Sequence, residues 1–379
     1  DMGKEGEIFP NIIENQEYDD YRQMFVKAVS AMNTYCQSRN ISFYLMFDPN
    51  KISIYTEFIP DGINYDSSWV DEFLNALTES GVTVVDNYHY FKSIKDEVRL
   101  YNVKEDVTHW NDIGAFYGCN LVLKTISEDY PAVTENKLED FEVTEEFAKY
   151  LQNSTIVINE TIPKIKVPVS WSEVVSRERE ALQTDTLFAN FLHVRSDLAE
   201  AADLPKILSF EGSYMFGGDH HNMLICQSRE YIAVHNYRNV LNLPYYVNIF
   251  QPEIVIFDVA EFVIAEYFFS YDVMKTINYP VSLTEFGYPY EEKEMGNVNV
   301  SSFIDTYEQI YIDIGNTDYE NAYVISGDKT YDLTVQDEVY YLITLRENLE
   351  NYPTLRFVFP DPDAEKCYYQ DYYPEGSDW

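Results

Sequence analysis

KILSFEGS, Lys206 to Ser213, decides the fold. A strand without an exposed face runs straight into a Gly-Ser turn. Near-continuous apolar character of this kind marks a strand covered on both sides, as in parallel sheets. Two more such runs follow, YIAVHNY (Tyr231–Tyr237) and EIVIFDV (Glu253–Val259). Upstream lie ISFYLMF (Ile41–Phe47) and VTVVD (Val82–Asp86). Helical runs separate them: Tyr18–Arg39, Trp69–Ser80 closed by Gly81, and Trp110–Glu128, with Thr108 available as N-cap and Asp112 in its first turn. Strands alternating with helices predict an α/β fold with a doubly wound, mostly parallel sheet. The rhythm breaks over about 131–204, which starts acidic and carries a β-like stretch, Thr155–Val169; this reads as an insertion on the sheet edge. From Val281 onward, short runs such as YEQIYIDI, VYYLITL and LRFVF between polar turns predict a small C-terminal all-β module. The expected division is therefore 1–280 and 281–379.

Charge narrows the partners. With 26 Lys+Arg against 65 Asp+Glu, the net charge of −39 argues against nucleic acid and against an anionic membrane surface. It disfavours polyanionic substrates as well, since they are repelled at long range. The 34 Tyr suit either half-buried packing or contact with carbohydrate. Cys36, Cys119, Cys226 and Cys367 form no CxxC pair, and the first three sit in apolar surroundings that predict buried thiols.

Ser213 stands where open α/β sheets place ligands, beyond the carboxyl end of a buried strand. Gly212 would ease a tight turn, and the amides after it would face an oxyanion. Asp106-Val-Thr-His109-Trp110-Asn111 supplies a histidine at the start of a long helix, with a carboxylate close enough to orient it. Read alone, each segment is equally a turn or a helix cap. Together they hold the Ser, His and Asp of an acyl-transfer triad. Gly212, Tyr214, Trp110, Asn111, Arg238 and Asn239 are the candidates for substrate or oxyanion contacts. No metal is expected: adjacent histidines such as His220-His221 rarely point at one ion, and Asp361 and Asp363 lack calcium-loop spacing.

Five segments in order resemble the SGNH-hydrolase-like group that includes the alginate O-acetylation proteins (AlgX/AlgJ-like) and the bacterial DHHW-type proteins. They are GKEGEIF (Gly3–Phe9), FDPNKISIYTEFIP (Phe47–Pro60), LYNVKEDVTHWNDIGAF (Leu100–Phe116), LPKILSFEGSY (Leu204–Tyr214) and the stretch His235–Glu261. The resemblance spans about residues 3–270. It implies a permuted SGNH-hydrolase-like, flavodoxin-like three-layer fold, with Ser213 as nucleophile, His109 as base and Asp106 as orienting acid. Two departures stand out. Two residues separate Asp106 from His109 where the group has one, and FEGSY lacks the Asp of the G-D-S form. The resemblance further implies an extracytoplasmic location, secreted or anchored through a segment outside this chain. Three functions stay open: a polysaccharide O-acetyltransferase, a carbohydrate O-acetyl esterase with water as acceptor, and a non-catalytic glycan-binding protein that retains the fold. Neutral glycans are favoured as partners, the β module is a candidate carbohydrate binder, a membrane acetyl-donor protein is a further expected partner, and no cofactor is expected.

Overall fold

The structure is a computed structural model, and it describes residues 2–10, 12–13, 16–168, 173–176, 182, 190–196, 199–304, 307–349 and 354–373. By its internal contacts the chain divides into two units, 1–36 with 41–241 and 253–277, and 37–40 with 242–252 and 278–379.

The first unit is built on strands β1 (Ser42–Asp48), β2 (Thr83–Asp86), β3 (Glu142–Tyr150), β4 (Val157–Lys166), β5 (Glu173–Ser176), β6 (Asn190–Arg195), β7 (Lys206–Phe210), β8 (Glu230–His235) and β9 (Ile254–Ala260). Its helices include α1 (Asp20–Gln37), α2 (Lys51–Ile54), α3 (Ser68–Glu79), α4 (Asn87–Ile94), α5 (Asp112–Ser127) and α6 (Ser213–Phe216). The main sheet runs β2-β1-β9-β7-β8-β6-β5. The first five are parallel; β6 is antiparallel to β8, and β5 to β6. This is the mostly parallel α/β sheet the sequence predicts. Phe47 and Phe257 share one face, where Phe25 of α1 and Phe73 of α3 meet them with ring centroids about 6 Å apart. Tyr44 is on the other face and donates to Asp129, just beyond α5, so helices cover both sides.

The insertion divides. Strands β5 and β6 extend the sheet edge as expected, whereas β3 and β4 pair only with each other in a separate ribbon. Helix α5 starts later than expected. Its cap is the Asn111 side chain, which accepts from the Gly114 amide, and not Thr108. Gly114 is required there, because a Cβ would lie 2.3 Å from the Leu100 carbonyl oxygen. Of the four cysteines, Cys36, Cys119 and Cys367 are buried and Cys226 is only partly so.

Lys51 ties the amino-terminal segment to the loop that follows α4. Fully buried, it pairs with Glu7 at 2.9 Å and donates to the carbonyls of Ile8 (2.9 Å) and Val103 (2.7 Å). Lys51→Met takes a donor from the carbonyls of Ile8 and Val103, the latter keeping the Ile8 amide, and leaves part of the buried Glu7 carboxylate without its cation. The expected cost is about 3–5 kcal/mol, read as a lower midpoint in urea unfolding. A loss under about 1 kcal/mol would show that water replaces the ammonium.

Helix α7 (Asn222–Ile225) belongs to the first unit, and the second unit contains helix α8 (Leu243–Phe250). Its strands are β10 (Tyr290–Glu292), β11 (Asn297–Ile304), β12 (Tyr307–Asp313), β13 (Tyr323–Ser326), β14 (Lys329–Asp332), β15 (Thr334–Gln336), β16 (Val339–Leu345), β17 (Leu355–Asp361) and β18 (Lys366–Tyr372). They form two sheets, β10-β18-β17-β13-β14 and β11-β12-β16-β15. Ile310, Ile312, Val324, Leu342, Phe357 and Phe359 fill the space between them. Asn248 of α8 exchanges two hydrogen bonds with the Asp332 backbone, at 2.7 and 3.0 Å. The chain between β8 and β9 thus contributes a helix to the β-rich unit, which hydropathy alone does not reveal.

Candidate active site

Ser213 opens α6 directly after β7, at the carboxyl edge of the parallel strands. Its Oγ lies 2.8 Å from His109 Nε2, and His109 Nδ1 lies 2.8 Å from Asp106 Oδ2. The histidine, expected at the start of a long helix, lies ahead of it, since α5 begins at Asp112. β2 runs directly into α4, whose cap is Asp86, and His109 occupies the loop between α4 and α5.

The unusual spacing between Asp106 and His109 has a local explanation. Asp106 Oδ1 accepts from the amides of Thr108 (2.7 Å) and His109 (2.9 Å), so the carboxylate folds its own turn. With Oδ1 engaged, Oδ2 is left facing the imidazole. Burial by itself would raise the Asp106 pKa. The hydrogen bond to His109 and the two amide bonds outweigh it and hold the carboxyl below its ordinary range.

A reciprocal clamp joins the serine and histidine segments. Tyr214, after the serine, donates its hydroxyl to the Thr108 carbonyl at 2.7 Å. Trp110, after the histidine, donates its indole N–H to the Tyr214 carbonyl at 3.0 Å. These two residues, expected as substrate contacts, are buried framework. Asn111 caps α5 instead of facing a ligand. Gly212 has extended backbone, and its amide donates to Asp258 Oδ2 at 2.8 Å. Among the described residues, the amides of Ser213 and Tyr214, at the start of α6, have no acceptor. Arg238 and Asn239 fold a turn on Asn236 and do not line the cleft at Ser213. His220 and His221 turn to different partners, His220 Nδ1 to the Tyr214 carbonyl and His221 towards Glu211.

Three features of the site carry no sequence signal. The first is Glu160 on β4. Its carboxylate accepts from the successive amides of Val103 (2.6 Å), Lys104 (2.8 Å) and Glu105 (2.7 Å), immediately before Asp106. The ribbon therefore holds the histidine loop. Glu160→Ala is expected to lower kcat about 10–100-fold by loosening that loop, with a smaller effect on KM. Unchanged kcat would show that the loop holds its shape without the carboxylate.

The second is a buried carboxyl pair beneath the Ser213 turn. Asp48 Oδ2 and Asp258 Oδ1 are buried without a donor, as expected where two carboxyls share a proton. Burial raises both pKa values, that of Asp258 to about 6, although the Gly212 amide partly offsets it. A raised carboxyl pKa favours the folded state below the unfolded value, and that stability is lost as pH rises through the folded one. Asp48→Asn keeps an acceptor for Asn87 and a donor for Asp258. It should stabilise the protein by roughly 1–3 kcal/mol near pH 8 and not near pH 4, measured by thermal unfolding at both. Equal effects at the two pH values would exclude the shared proton.

The third is the cleft itself, a cavity of about 710 Å³ at Ser213 and His109. Its polar lining includes Gln16, Glu17, Asp19, Arg22, Asn50 and Glu261; its apolar lining includes Ile12, Ile13, Ile52, Phe262, Ile264 and Ala265. Arg22, stacked 4.1 Å over Trp69, donates to the Glu17 carbonyl and to Gln16 and so secures the first of these segments.

A serine, an imidazole and a carboxylate in series at the edge of an α/β sheet have the arrangement of an acyl-transfer triad, which recurs on unrelated folds. Residues 5–190 match the family model described as SGNH hydrolase-like domain, acetyltransferase AlgX, a segment that holds Asp106 and His109. The resemblance read from the motifs therefore stands. Bacillus cereus PatB1 with a sulfonyl adduct is similar in structure, with a TM-score of 0.56 at 16% identity, over 70% of this chain and 96% of that one. PatB1 without the adduct gives 0.52 at 14% identity, over 69% and 95%. The O-acetyltransferase domain of Pseudomonas putida AlgJ gives 0.47 at 14% identity, over 69% and 91%. At these identities the likeness is one of fold. No curated protein matches the chain by sequence.

Proposed function

We propose that the chain is a serine-dependent O-acyltransferase of the acetyltransferase type, acting on a carbohydrate hydroxyl. One observation carries this reading: His109 lies 2.8 Å from both Ser213 Oγ and Asp106 Oδ2. In the first step Ser213 Oγ attacks the donor's acyl carbonyl, and His109 Nε2 takes its proton. The amides of Ser213 and Tyr214 face the developing oxyanion. The leaving group receives the proton as its bond to the acyl carbon breaks. In the second step His109 Nε2 takes the proton of the acceptor hydroxyl, whose oxygen bonds to the acyl carbon as the bond to Ser213 Oγ breaks, and His109 returns the proton to Ser213 Oγ.

The net charge of −39 favours a neutral or amino-sugar acceptor. An extracytoplasmic location, a membrane donor partner and glycan binding by the β-rich unit belong to the same proposal and rest on the family resemblance. The test is turnover of an acetyl-ester chromogen with and without neutral oligosaccharides. Acetylated sugar detected by mass spectrometry supports the transferase. Release of chromogen that no acceptor accelerates indicates an esterase. Absence of both favours the glycan-binding protein.

A further inference from the structure

We infer that the acceptor is an oligosaccharide whose sugar rings, beyond the unit that receives the acetyl group, stack on an aromatic strip leading away from His109 through Phe262, Phe268 and Tyr267. The inference deepens the reading of Ser213 and His109 as an acetyl-transfer pair acting on a carbohydrate hydroxyl, and it rests on that reading. The strip is continuous with the candidate site. Phe262 lines the cleft and stands edge-on to His109, with ring centroids 6.4 Å apart. Phe268 meets Phe262 at 5.9 Å, and Tyr267 meets Phe268 at 5.0 Å, both edge to face. Exposure rises along the run: Phe262 and Phe268 are half-buried, whereas Tyr267 is 74% exposed. A ring that exposed keeps a face in water even with Phe268 against one side. Single exposed aromatics are ordinary on any surface. A run of three in successive contact that begins at His109 calls for an occupant, because core packing uses only its buried end.

The segment that presents the rings is anchored, so little ordering is left to do on binding. Phe269, next in the chain, is buried and packs edge-on against Phe25 at 5.1 Å and Phe257 at 5.9 Å. Its carbonyl accepts from the Tyr21 hydroxyl at 2.8 Å. The amides of Phe268 and Phe269 both donate to the Ala265 carbonyl, at 2.9 and 3.1 Å. The Glu266 carboxylate accepts from the Tyr271 amide at 3.1 Å. The faces of a pyranose ring carry C–H groups with partial positive charge, which pack well on the negative face of an aromatic ring. Charge then selects among ligands that stack. From Glu261 to Asp272 the chain carries carboxylates at Glu261, Glu266 and Asp272 and no Lys or Arg. An acidic glycan would meet like charge there, and a neutral one would not. A nucleobase also stacks, but its phosphates are disfavoured on the same ground.

The experiment titrates the full chain carrying Ser213→Ala with cellohexaose, with the N-acetylglucosamine hexamer and with hexagalacturonate, read by calorimetry. At least one of the neutral hexasaccharides should bind, and hexagalacturonate should bind more weakly than it. Adding Tyr267→Ala should raise Kd about 3- to 10-fold, whereas Tyr267→Phe, which keeps the ring, should stay within about twofold. With Ser213 present, Tyr267→Ala should raise the KM for the hexasaccharide acceptor by a similar factor and the KM for a single sugar less. Binding of neither neutral hexasaccharide, tighter binding of hexagalacturonate, or a Kd that Tyr267→Ala leaves unchanged overturns the strip; acetylated sugar made by wild type would then leave the transferase standing. Binding that depends on Tyr267, with no acetyl group transferred, keeps the strip as a glycan site and overturns the acetyl-transfer reading. Self-association that Tyr267→Ala abolishes would assign the rings to a second copy of the chain and overturn the glycan.

Discussion

Ser213→Ala should lower kcat/KM for any acyl ester by at least about 10⁴-fold and leave the fold intact. Among the described residues, the Ser213 hydroxyl has one hydrogen-bond partner, His109 Nε2. Its removal costs one partly exposed hydrogen bond, about 1 kcal/mol or less of stability. The two readouts separate a nucleophile from a structural serine. Steady-state kinetics should collapse, urea unfolding should barely move, and labelling by a sulfonyl fluoride should vanish. Retention of more than about one-tenth of the activity would end the covalent mechanism.

Asp106→Asn should cost about 10³–10⁴-fold in kcat. Asparagine keeps an oxygen to accept from the Thr108 and His109 amides, so the turn survives. Its amide nitrogen then faces His109 Nδ1, where wild type has a carboxylate oxygen at 2.8 Å. Nδ1 is obliged to accept, the imidazole proton moves to Nε2, and Nε2 no longer takes the proton of Ser213. Nitrogen NMR of the imidazole distinguishes the two tautomers. In wild type the hydrogen bonds that depress the Asp106 pKa keep it ionised below the ordinary carboxylate range, so its own titration does not limit activity near neutral pH. An Asp106→Asn enzyme within about threefold of wild type would move the orienting role elsewhere.

Much of the site was legible in the chain. KILSFEGS places Ser213 at a turn after a buried strand because strand burial and turn chemistry are local properties of the residues. EDVTHWN places Asp106 and His109 on one short segment, and the Asx turn that brings the carboxylate to the imidazole across two intervening residues is local as well. The residues beside the triad were read less well. Tyr214 and Trp110 look like ligand contacts in one dimension. They are framework because each bonds the other's segment, about one hundred residues away in the chain. Glu160 was not legible, since an exposed-looking glutamate in a β-like run gives no sign that three amides of a distant loop will converge on it.

The sequence by itself determined the alternation of strands and helices, the parallel sheet, the triad residues and the change to β structure near residue 281, because each follows from periodicity, turn residues or short spacing. Only the tertiary structure decided how the loop with His109 is held against Ser213, which carboxyls are buried together beneath the turn, and which side chains line the cleft. Those outcomes depend on long-range packing and desolvation, where a side chain's role is set by neighbours remote in the chain.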